Sequence, residues 1–81
     1  MSTTATVVLP RGPRHRVAEH LVTELRKLHG RMGISSTRTG YDGEYGEYGA
    51  EIWTVIDPTP CQTARGHQAY TERHGAVWTW A

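Results

Sequence analysis

The chain has 81 residues, a formal net charge of +1 and a single cysteine, Cys61. That length holds one small domain, 1–81, and leaves no room for a large multidomain enzyme, while one cysteine excludes an internal disulfide framework. Leu, Ile and Val number only 13 and Phe is absent, so the three Trp and four Tyr must supply much of the apolar area.

Taken in chain order, "TATVVL" at 4–9 is a β-branched run that reads as a strand, closed by Pro10. In "RGPRHRVAEHLVTELRKLHG" the residues Val17, Ala18, Leu21, Val22, Leu25 and Leu28 recur at helical spacing. Pro13 suits a first helical turn, and Gly30 suits a C-terminal stop. This predicts a helix over 13–29, with Arg26, Lys27 and His29 at the negative end of its dipole. "GISSTRTGY" at 33–41 reads as a polar edge strand, and "AEIWTVID" at 50–57 as a central one stopped by Pro58.

Between those strands lies "YDGEYGEYGA", with glycine at every third position from 40 to 49. Glycines at this density oppose a helix, and Tyr41, Tyr45 and Tyr48 do not alternate as a strand requires. The stretch reads as an adaptable hairpin tip bearing tyrosines and carboxylates.

The last third fits two patterns. Thr59, Pro60 and Gln62 resemble a capping box that opens a helix running to about 74. Gly66 interrupts such a helix, and only Cys61, Ala64 and Ala69 would be apolar on its inner face. A short helical turn followed by a hairpin of 67–72 and 76–81, with Gly75 in its loop, is therefore preferred. The expected fold is α+β: a mostly antiparallel sheet of four to five strands with one principal helix on one face. If 60–74 is a helix instead, the order becomes βαββαβ, the ferredoxin-like arrangement.

The strands carry apolar groups on both sides. Ile52, Thr54 and Ile56 oppose Trp53 and Val55; Trp78 and Trp80 oppose Val77 and Thr79; Ala5, Val7 and Leu9 oppose Thr6 and Val8. One helix covers one face, so Trp53, Trp78 and Trp80 are expected to contribute to an uncovered face that a partner or second subunit seals. Charge is also segregated. Residues 1–40 hold seven cations and two anions, whereas 41–60 hold five anions and no Lys or Arg. Such asymmetry steers partners.

These features predict a non-catalytic protein-binding module, a regulator or inhibitor, with a homodimer as one way to close the open face. Its contact residues would be Trp53, Trp78 and Trp80 on the sheet and Tyr41, Asp42, Glu44, Tyr45, Glu47 and Tyr48 at the tip, selecting a basic protein. The alternative is a nucleic-acid or phosphate binder that uses Arg11, Arg14 and Arg16 at a helix N-terminus. No cofactor or metal is expected: His15 with Glu19 and His20 with Glu24 are i, i+4 pairs, but no H-E-x-x-H spacing accompanies them. Cys61, next to Pro60, has no positioned base in the sequence, so catalysis ranks last. The start "MSTTATVVLP" lacks the pattern of a secretion signal, and no run approaches the ~20 apolar residues of a membrane span. The sequence accordingly reads as cytoplasmic.

Overall fold

The computed structural model describes residues 3–12, 17–42, 49–58 and 62–81. The chain forms strand β1 (Thr4–Leu9), helix α1 (Glu19–Leu28), a short 3-10 turn (Arg31–Gly33), strands β2 (Ser35–Asp42) and β3 (Ala50–Ile56), helix α2 (Gln62–Glu72) and strand β4 (Val77–Trp80). The four strands make one sheet in the order β2-β3-β1-β4. Every neighbouring pair is antiparallel. Element order and strand order together are those of the ferredoxin-like βαββαβ arrangement.

Alternation along the strands decides where the core sits. Ala5, Val7 and Leu9 of β1, Trp53 and Val55 of β3, and Trp78 of β4 are buried. Helix α1 adds Leu21, Val22, Leu25 and Leu28, the stripe that its sequence spacing predicts. All belong to one cluster, with Trp80 packed partly buried against it. Both helices therefore lie on the same face of the sheet. On the other face the register aligns Thr37, Thr54, Thr6 and Thr79 in one row across all four strands.

Helix α1 starts later than the 13–29 pattern suggests. Val17 is held extended by an antiparallel bridge to Arg11, and Ala18 is extended as well, so the first helical residue is Glu19. Pro13, assigned to the first turn, lies outside the described residues. At the other end Gly30 has φ 89°, a left-handed conformation that favours glycine, and its N–H donates to the Ile34 carbonyl at 2.7 Å. The Ser36 N–H donates to His29 Nδ1 at 2.9 Å, which ties the helix exit to β2.

The preferred hairpin over 67–81 is corrected: 62–72 is a helix and only Val77–Trp80 forms a strand. The physical reason is visible in what α2 offers the core. Among its described side chains Ala64 is the one buried apolar residue, but the helix supplies acceptors for two indoles. Trp78 Nε1–H donates to Thr71 Oγ1 at 2.8 Å, and Trp80 Nε1–H donates to Gln68 Oε1 at 3.0 Å. The Thr71 hydroxyl in turn donates back to the helix carbonyls of His67 and Gln68. The helix closes with a Schellman pattern, Ala76 N–H to the Thr71 carbonyl and Gly75 N–H to the Glu72 carbonyl, with Gly75 at φ 98°. The positive φ expected of Gly75 is present, but it ends a helix instead of turning a hairpin.

Two stability outcomes follow from α2. A Cβ at Gly66 would meet nothing within 4 Å. Gly66→Ala is therefore expected to raise stability by about 0.5–1 kcal/mol in urea unfolding; a loss would show that the helix is strained there. Thr71→Val leaves the Trp78 N–H buried without an acceptor and should cost about 1–3 kcal/mol. Thr71→Ser, which keeps the hydroxyl, should cost clearly less, and equal losses for the two variants would refute the role given to the hydrogen bond.

Candidate functional site at the end of the β2–β3 hairpin

Strands β2 and β3 pair from Ser35↔Ile56 to Asp42↔Ala50, so residues 43–49 connect the far ends of two paired strands. The pairing slips between Arg38 and Gly40: Arg38 stands opposite Trp53, whereas Gly40 stands opposite Ile52 and Tyr41 opposite Glu51. Residues three apart on a regular strand point to opposite faces. The bulge at Thr39 cancels that difference, so Arg38 and Tyr41 share the face of Glu51 and Trp53.

The four side chains form a short relay from the core to the surface. Trp53 Nε1–H donates to Glu51 Oε1 at 3.0 Å. The same oxygen lies 3.7 Å from Arg38 Nη1. The Arg38 guanidinium stands over the Tyr41 ring, 5.3 Å from its centroid, within cation–π range. Trp53 is buried at 3 % exposure and Tyr41 is exposed at 37 %. A core indole thus fixes a carboxylate, the carboxylate pairs with an arginine, and the arginine supports an exposed tyrosine.

Tyr41 is exposed as anticipated. Asp42 is the last residue of β2. Glu44, Tyr45, Glu47 and Tyr48 lie outside the described residues. The assignment of the three tryptophans to an uncovered face is corrected: Trp53 and Trp78 are interior, and Trp80 packs on the same cluster. Two helices, instead of one, line that side of the sheet, so the rings are covered. Arg38 and Glu51 were not singled out from sequence. The only signal was Arg38 standing three residues before Tyr41, and that spacing has meaning only once the bulge is known.

The anion-site alternative also changes. The helix opens at Ala18 and Glu19 with an acidic first turn, and Arg11 precedes it in a bridge to Val17. Arg11 is therefore not at the helix N-terminus, and Arg14 and Arg16 lie outside the described residues, as does Cys61.

A second aromatic cluster joins the helices. His20 of α1 meets His74 with ring centroids 4.8 Å apart, and Tyr70 lies 5.1 Å from His74. One turn along, His67 Nδ1 approaches Glu24 Oε1 at 2.9 Å, a charge-pair distance without the alignment of a hydrogen bond. Among the described residues no three His, Cys, Asp or Glu converge as metal ligands. Nor is any described helix long and apolar enough to cross a membrane. Comparison of the chain with protein families, curated proteins and solved structures finds no match.

The relay makes a ranking of variants. Arg38→Ala removes a 3.7 Å ion pair whose arginine end is exposed and leaves Glu51 its indole donor, and should cost less than about 1 kcal/mol. Glu51→Ala also strands the Trp53 N–H and should cost more, about 1–3 kcal/mol. Glu51→Gln retains an acceptor for the indole and should fall between them. The reverse order in denaturant titrations would mean that the ion pair, not the indole, holds the site.

Proposed function

We propose that the protein is a non-catalytic binding module that docks on a basic protein surface through the end of its β2–β3 hairpin. The observation that carries this reading is the supported tyrosine. Tyr41 is exposed, yet its position is set from the core through Trp53, Glu51 and Arg38. An aromatic side chain ordered before binding loses less entropy on contact, and tyrosine is enriched among residues that dominate interface energies. The adjoining sequence adds Asp42, Glu44, Tyr45, Glu47 and Tyr48 and no cation. Carboxylates select and steer a basic partner, and tyrosine faces accept its Lys or Arg side chains. A module that binds without chemistry acts by occupancy, as a regulator or inhibitor does.

The experiment is capture from host lysate by the immobilised wild-type chain, beside Tyr41→Ala, a 43–48 deletion, and the pair Arg14→Ala with Arg16→Ala. The expected result is a protein held by the wild type and by the arginine pair. Its affinity should fall about 30-fold or more for Tyr41→Ala, the loss of an interface residue worth about 2 kcal/mol. The deletion should abolish capture. Retention that ignores Tyr41 and 43–48 would reject the reading. Capture of nucleic acid that the arginine pair abolishes would replace it.

A further inference from the structure

We propose that the open face of the sheet is a self-association surface, on which two copies of this chain pack sheet against sheet. This goes beyond the hairpin reading and uses the opposite side of the sheet. Beside the threonine row, the register aligns Ile52, Val8 and Val77, and Ile56 follows on the other side. Val77 is 57 % exposed and Ile56 43 %, the most exposed aliphatic β-branched side chains of the described residues. An antiparallel sheet that keeps one face in water normally turns polar groups to it. Here the helices have taken all three indoles to their own side, yet this side still carries β-branched apolar residues.

The charge pattern of this face fits a second copy better than a foreign protein. The rows through Thr54, Ile52 and Ile56 contain no Lys, Arg, Asp, Glu or His, and the next row, Asp42 opposite Ala50, places the first carboxylate at the hairpin margin of this face. A two-fold interface sets one patch against itself, so any charge on it risks meeting a like charge. An uncharged patch avoids that conflict, and it gives a charged partner nothing to select. Four strands about 4.8 Å apart, with about five residues each at about 3.3 Å, present a footprint of roughly 300 Å². Two such faces bury about 600 Å² of footprint, below the ~1,000 Å² of a stable interface, so the contact is a weak and transient one. The equilibrium is therefore expected near micromolar strength or weaker, with monomer and dimer both accessible. The dimer carries two hairpin ends, so a partner with two basic segments gains avidity.

The test is sedimentation equilibrium from about 1 to about 500 μM, a span that brackets such an interface. The wild type should move from the 9.1 kDa of one chain toward twice that mass. Ile56→Glu with Val77→Glu should remain monomeric, with circular dichroism showing that it is folded. Ile56→Lys with Val77→Lys should do the same. The two double variants, mixed, should associate, because their faces then carry opposite charge. Deletion of 43–48 should leave the wild-type equilibrium unchanged, which separates this inference from the hairpin reading. A wild type that stays at one-chain mass throughout would overturn the inference, even if a host protein still binds the hairpin. So would a dimer that both double variants retain, or one that the 43–48 deletion abolishes.

Discussion

Three indoles must be housed in a chain without phenylalanine, and each brings an N–H that has to be paired. The structure meets this requirement on one side of the sheet. Trp78 uses Thr71, Trp80 uses Gln68 and Trp53 uses Glu51, all within 3.0 Å. An aromatic ring gives large burial, but its polar edge limits where it can go. Here that limit shapes helix α2, the end of the hairpin and the open face together.

For α2 the consequence is an unusual helix. Its inner surface is chosen for hydrogen bonding as well as for packing, with Ala64 to fill space and Thr71 and Gln68 to accept. For the hairpin the consequence is Glu51. A carboxylate held by an indole inside the fold becomes a fixed point for Arg38, and through it for Tyr41. The two outer contacts, Glu51 with Arg38 and Arg38 with Tyr41, individually contribute little to stability. Their effect is positional: they bring order from the core to a place where the sequence concentrates tyrosine and negative charge. For the other face the consequence is absence of aromatic cover, which leaves threonine, valine and isoleucine in register across the strands.

How much of this was legible in the sequence depends on which residues spoke for each element. The α1 stripe and the alternation of β1 and β3 were readable because large aliphatic residues mark them. The alternation even separated Trp78 and Trp80 from Val77 and Thr79 correctly. It could not say which side the helices would cover, and that choice reversed the role of the tryptophans. Helix α2 was hidden because beside Ala64 its core-facing positions are threonine and glutamine, which carry no hydrophobic period, and because exposed Gly66 looked like a break. The late start of α1 depends on a bridge between Arg11 and Val17, a tertiary pairing that no local pattern encodes. The Arg38–Tyr41 contact depends on a bulge, which shifts facing by one residue without leaving a mark in composition.

The fold depends on the inward, hydrogen-bonded placement of the indoles. Proton exchange of the three tryptophan Nε1–H resonances, followed by NMR of the folded chain in deuterated buffer, tests it most directly. All three should exchange more slowly than free indole, with Trp78, whose bond is the buried one, the slowest. Three indole protons that vanish at the free-indole rate would contradict the account, since rings so open to water could neither fill this core nor anchor the hairpin.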